Sequence, residues 1–89
     1  GFAKTVAQNF QLMEQLGSFA RFGRPVLVGI SRKSFICKTL GITPDQALTA
    51  TQTMHMAALE RGASILRVHD VEAAVQTREL FTSLAATRP

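Results

Sequence analysis

Four consecutive apolar residues, Pro25-Val26-Leu27-Val28, run straight into Gly29-Ile30-Ser31-Arg32-Lys33-Ser34. The apolar run shows no polar alternation, is β-branched at Val26 and Val28, and is too short for a helix. It reads as a strand buried on both faces, the kind found in parallel sheets. It stops abruptly in two cations and two hydroxyls, and the mostly apolar segment Phe35-Ile36-Cys37-Lys38-Thr39-Leu40 follows at once. In α/β proteins, ligands gather at the carboxyl ends of buried strands. A strand that delivers Ser-Arg-Lys-Ser to that edge, with a helix starting there, is arranged to meet an anionic or polar ligand.

At 89 residues the chain is one domain at most, or part of one. It has no initiator Met and no signal-peptide pattern, so the start at Gly1 reads as a cut inside a longer chain. No apolar run approaches the roughly 18 residues needed to span a membrane. The single Cys37 has no internal disulfide partner and fits a reducing cytoplasm. The net charge of +4 is concentrated in Arg21, Arg24, Arg32, Lys33 and Lys38. Such a cluster permits nucleic-acid binding. However, the chain has no Trp or Tyr, and its Phe residues are not interleaved with the cations as a stacking surface requires. A small anionic ligand suits these charges better.

Taken in order, Gly1 to Lys4 reads as loop. Thr5 and Gln8 form a capping box for a helix whose apolar positions Val6, Phe10, Met13, Leu16 and Phe19 make one core-facing stripe. That helix is expected to fray near Phe22 and stop at Gly23-Arg24-Pro25. The buried strand follows, from Pro25 or Val26 to about Ile30. A short helix over 32–40 closes on Gly41, a left-handed cap. Thr43-Pro44-Asp45-Gln46 then reads as a helix start, with a capping hydroxyl, Pro in the first turn and an acid at the positive dipole end. This helix runs to Glu60 or Arg61 and closes on Gly62. Its face of small side chains, including Ala50, Ala57 and Ala58, suits close packing on a sheet or on a second subunit. Residues 63–70 read as a second buried strand. Asp70 then caps a last helix on which Val71, Ala74, Val75, Arg78, Phe81 and Leu84 keep the helical period.

Two strands joined by a long helical crossover are parallel. Two such strands cannot cover both of their faces or close their edges, so the pattern demands further strands, from copies of this chain or from the rest of a larger domain. The sequence favours the larger domain.

Both strands bring polar groups to the same end. The first delivers Arg32, Lys33 and Ser34, and the second delivers Arg67 and His69. Side chains alternate along the second strand, so Arg67 and His69 share one face and Val68 takes the other. Arg67 then either pairs with a carboxylate elsewhere or converges with Lys33 and His69 on an anionic or electron-rich ligand. Cations at a helix start are unfavourable unless an anion offsets them. Ser34 is equally a helix cap or a ligand contact, and His69 is also open to a capping role. His55 lacks a partner at ligand spacing and reads as structural or interfacial, and Cys37 as inert core. No metal-ligand spacing, Gly-rich phosphate loop or paired carboxylates stand out, so no metal ligand is assigned.

The segment Leu27-Val28-Gly29-Ile30-Ser31-Arg32-Lys33-Ser34-Phe35-Ile36, followed by Ile65-Leu66-Arg67-Val68-His69-Asp70-Val71, resembles the carboxyl-terminal part of dihydropteroate synthase. Gly1-Phe2-Ala3-Lys4 resembles the tail of that family's Asp-Pro-Gly-Phe-Gly-Phe-Gly-Lys loop, with Ala3 where the family usually has Gly. The similarity runs over the whole chain, which corresponds to about the last third of a barrel of ~250 residues. The resemblance implies an α/β fold, the last two parallel strands of a (β/α)8 barrel with their flanking helices, in a single pterin-binding domain. It implies the condensation of a dihydropterin methyl diphosphate with 4-aminobenzoate, releasing diphosphate and forming dihydropteroate for folate biosynthesis.

By the same resemblance Lys33 hydrogen-bonds the pterin ring, Arg67 stacks on that ring and helps hold the diphosphate, and His69 contacts the diphosphate. Leu27 and Gly29 line the pterin pocket, Ser34 lies near the aminobenzoate carboxylate, and Phe2 packs on the aminobenzoate ring. Lys33, Arg67 and His69 are thus the residues expected to act in catalysis. The resemblance also implies Mg²⁺ bound through the diphosphate and residues outside this chain, sensitivity to sulfonamides, a cytoplasmic location and a homodimer built through the last helices. The family's pterin-anchoring Asp residues and Mg²⁺-associated Asn lie on earlier strands, so this chain alone is expected to be inactive. Two alternatives stand beside this reading. One is a pterin-dependent methyltransferase barrel, which needs neither Ser-Arg-Lys-Ser nor a diphosphate-directed His69. The other is a structural dimerisation fragment without activity.

Overall fold

The computed structural model describes residues 5–20, 27–29 and 34–89. Helix α1 (Val6–Glu14) begins where the sequence places it. The Gln8 N–H donates to Thr5 Oγ1 at 3.1 Å and the Thr5 N–H donates to Gln8 Oε1 at 2.9 Å, so two otherwise orphaned donors are satisfied reciprocally. One continuous helix to Phe22 does not form. The chain turns at Gln15 and restarts as α2 (Leu16–Ala20). Gly17 is a poor helix former, and it sits against the end of a later helix, where a Cβ would lie 3.8 Å from the Arg61 carbonyl oxygen. Arg61 also donates to Glu14 Oε1 from Nε at 3.1 Å and from Nη2 at 2.6 Å, fixing the break in place. The expected stop at Gly23-Arg24-Pro25 lies outside the described residues, as does the side chain of Phe19.

Strand β1 (Leu27–Gly29) pairs in parallel with β2 (Ile65–Arg67), in the register Leu27 to Ile65, Val28 to Leu66 and Gly29 to Arg67. Between them run α3 (Ser34–Leu40), a 3₁₀ turn (Pro44–Gln46) and α4 (Leu48–Glu60), and α5 (Val71–Ala85) follows β2. Helix α3 closes on Gly41 at φ 68°, where the Gly41 and Ile42 N–H groups both donate to the Cys37 carbonyl. The Thr43-Pro44-Asp45-Gln46 signal makes only the 3₁₀ turn, with the Thr43 N–H donating to Gln46 Oε1 at 3.0 Å. Helix α4 starts afresh after Ala47.

The second strand is shorter than the 63–70 read from the sequence. Gly62, at φ 101°, lets its own N–H donate to the Leu59 carbonyl and lets the Ala63 N–H donate back to Ala58 at 3.0 Å. Ala63 is therefore spent on a Schellman cap for α4 and is unavailable to the sheet. At the other end the strand stops at Arg67, and residues 68–70 bend into α5. Asp70 occupies the N-cap of α5, its carbonyl accepting from the Ala74 N–H, with no side-chain cap bond.

The core lies on one face of the two strands. Val28, Met13, Phe35, Ile36, Ala58 and Ala63 are buried together, with Phe10 and Leu66 packed against them. Phe10 and Phe35 meet edge to face at 5.2 Å between centroids. Cys37 is buried, as expected of inert core. The described residues cover the strands on one face. Ile65 is 51% exposed and Arg67 is also exposed, because every helix packed on the sheet within the described residues lies on the Val28–Leu66 side. Ala58, on the face expected to pack on a sheet or on a second subunit, is wholly buried in this core with Val28 of β1.

Helices α4 and α5 form the tightest helical contact, through Thr51, His55 and Ala58 on one side and Ala74 and Thr77 on the other. Small side chains let the two backbones approach, and polar groups meet in the seam. Thr77 Oγ1 donates to Gln52 Oε1 at 2.9 Å, and Gln52 Oε1 lies 3.1 Å from His55 Nδ1. The tail after α5 is tied down, with Arg88 Nη2 on both Glu60 carboxylate oxygens at 2.6 and 2.7 Å.

Candidate functional site

Parallel pairing puts the carboxyl ends of β1 and β2 side by side, with Gly29 level with Arg67. Val28 and Leu66 turn into the core, so alternation places Gly29 and Arg67 on the opposite face, the one the described residues leave open. Arg67 does not stand upright there. Its stem leans over the neighbouring strand, with Cβ and Cδ each 3.6 Å from where a Gly29 Cβ would sit, and Cγ 4.0 Å from that point. Among the described residues the guanidinium has no hydrogen-bond or ion-pair partner. A guanidinium at this edge, carried on a stem that lies against a residue without a side chain, can take a flat electron-rich ring against its face and an anion on its edge.

The other expected residues divide by position. Leu27 stands in β1 opposite Ile65. Ser34 is the first residue of α3 and is exposed, at the end of the strand-to-helix connection. His69 is exposed and lies in the bend between β2 and α5, beyond the strand. The paired segment ends at Arg67, two residues short of His69, while Arg67 and His69 are both exposed with Val68 half-buried between them. Lys33 and Phe2 lie outside the described residues, together with Ser31 and Arg32.

His55 sits in the α4–α5 seam, apart from these strand ends. Burial pushes its pKa below the ordinary 6.5, which keeps the imidazole neutral. Gln52 Oε1 faces Nδ1 of His55 and can accept from it in the tautomer that carries its proton there. The sequence marks His55 as structural but gives no sign of Gln52 and Thr77 as its partners, since they belong to the facing sides of two helices 25 residues apart in the chain. Among the described residues no three His, Cys, Asp or Glu side chains gather into a metal site. No helix among the described residues is long and apolar enough to cross a membrane.

A parallel strand pair joined through helices, with an arginine at its carboxyl edge, is a unit of the α/β class. The sequence pattern of the pterin binding enzyme family matches residues 1–69, and the chain belongs to that family. A dihydropteroate synthase of Synechocystis is 49% identical over 85 residues, covering 94% of this chain and 29% of the relative. The crystal structure of 7,8-dihydropteroate synthase from Vibrio fischeri superposes with a TM-score of 0.94 at 38% identity, over 100% of this chain and 33% of its own. The Yersinia pestis enzyme solved with a pterine-sulfa conjugate gives a TM-score of 0.94 at 34% identity, over 99% of this chain and 35% of its own. The chain therefore spans about a third of the length of these relatives. Its strands and helices have the arrangement of the carboxyl-terminal part of their (β/α)8 barrel.

Proposed function

We propose that the complete protein carries out the dihydropteroate synthase reaction, joining a dihydropterin methyl diphosphate to 4-aminobenzoate with release of diphosphate, in folate biosynthesis. The observation that carries the reading is Arg67, unpartnered among the described residues, its aliphatic stem lying against Gly29 at the carboxyl edge of the strand pair. The names of the relatives over the whole chain support it.

In this reading the pterin ring lies against the Arg67 plane, over Leu27 and Gly29, with Lys33 hydrogen-bonding the ring. Diphosphate leaves before the amine attacks, so the main catalytic demand is to stabilise the departing negative charge. Arg67 and His69 meet that demand with donors that are already in place when the charge develops. Ser34 and Phe2 orient the aminobenzoate at its carboxylate and ring, the groups a sulfonamide would mimic. Mg²⁺, held by the diphosphate and by residues outside this chain, adds neutralising charge. The residues that anchor the pterin from other strands are not in this chain, so the chain alone is inactive. The protein works in the cytoplasm as a homodimer. Since Ala58 is in the core, the subunit contact falls on the outer side of α5, where Leu80 and Leu84 are 63% and 54% exposed.

Calorimetry on the complete enzyme tests the site. His69→Ala is expected to weaken a pterin diphosphate by ~1–3 kcal/mol and to leave a bare pterin nearly unaffected. Arg67→Ala is expected to weaken both. Equal losses for both ligands with His69→Ala would mean that His69 only shapes the bend before α5.

A further inference from the structure

Gly29 has no conformational reason to be glycine. Its φ is not among the positive values, which occur at Gly41 and Gly62, and a glycine inside a strand weakens it. What its missing side chain does is leave room. The place where a Cβ would stand is already approached by three carbons of the Arg67 stem, two of them at 3.6 Å. The Arg67 stem therefore lies in a trough that a small residue in β1 leaves open.

We propose that Gly29 is a positioning residue that acts through Arg67, holding the guanidinium flat over the carboxyl end of β1 so that its face meets the heterocycle and its edge meets the diphosphate. The inference rests on the function proposed above. It adds that a residue with no side chain governs how well that cation engages its ligand. The geometry grades the substitutions. A single Cβ at 3.6 Å makes ordinary van der Waals contact with the stem, whereas valine adds two γ-carbons that need further room on a side the stem already borders.

The test is a double-mutant cycle in the complete enzyme, read as the dissociation constant for a pterin diphosphate. Gly29→Ala is expected to weaken binding about threefold, and Gly29→Val roughly ten- to hundredfold, the loss that follows when a charge-assisted contact is misplaced. In an Arg67→Ala background Gly29→Val should cost almost nothing more. If Gly29→Val costs as much without Arg67 as with it, the added methyls obstruct the ligand directly and the proposal is wrong. Gly29→Ser, with one γ-atom, replaces the valine variant if that one does not fold. Crystal structures of the ligand-free variants give a second readout that needs no ligand. The stem should cross residue 29 in the wild type and in Gly29→Ala and should be displaced in Gly29→Val, and an unmoved stem in that variant overturns the proposal. A wild-type enzyme that binds no pterin diphosphate while its stem lies across Gly29 would instead overturn the functional reading alone.

Discussion

The buried imidazole of His55 makes the protein's stability depend on pH in a defined direction. The native state holds His55 neutral because burial disfavours the charged form, so its pKa lies below the ordinary 6.5. An unfolded chain exposes the ring and takes up a proton near that ordinary value. As pH falls below 6.5 the unfolded state binds more protons than the native state, and stability is lost until the native pKa is passed. The contribution is complete above 6.5. One proton changes stability by at most about 1.4 kcal/mol per pH unit, so moving from pH 7.5 to 5.5 should remove up to about 1.4 kcal/mol if His55 stays neutral in the native state. Urea unfolding at four pH values between 5.5 and 8 measures this. His55→Gln, which keeps a polar group in the seam but does not titrate, should abolish the extra acid loss while lowering stability at every pH. His69→Gln is the control for the other histidine, which is exposed. Parallel pH profiles for the wild type and His55→Gln would refute the assignment.

Other substitutions probe the frame around the site. Ala58→Arg should cost on the order of 3–5 kcal/mol, because a guanidinium would be forced into a core that offers no counter-charge, and thermal melting would reveal it. A melting temperature unchanged by that variant would place Ala58 on the surface. Gly62→Ala should cost about 1–2 kcal/mol, since its φ of 101° is strained for any L side chain, and the denaturation midpoint measures it. If the loss is absent, the chain has another way to end α4.

The sequence carries the element order well. Thr5 with Gln8, Gly41 and Gly62 mark their helix ends because capping is local chemistry, written within four or five residues. The two parallel strands are legible from their apolar runs. Strand length is not, because Ala63 reads as strand by composition yet is claimed by the cap of α4. The break at Gln15 is likewise hidden, since Gly17 is shaped by the end of a helix more than forty residues later. At the site, Arg67 and His69 stand out as polar residues at a strand end, but the pairing stops at Arg67, two residues short of His69. The role of Gly29 depends on register with Arg67, a relation across strands that no local pattern records.

The strand pair also has a consequence for the order in which the protein assembles. Leu27 and Ile65 meet across about forty residues of intervening chain, and closing such a loop costs roughly 3 kcal/mol of chain entropy. Three paired residues do not repay that by themselves. The pairing has to wait until α3 and α4 have formed and shortened the path between the two strands. Contacts of high sequence separation form late, and the alignment of Arg67 over Gly29 is one of them. Changes that slow the docking of α4 onto the core should therefore delay ligand-binding competence during refolding, while helical signal recovers early.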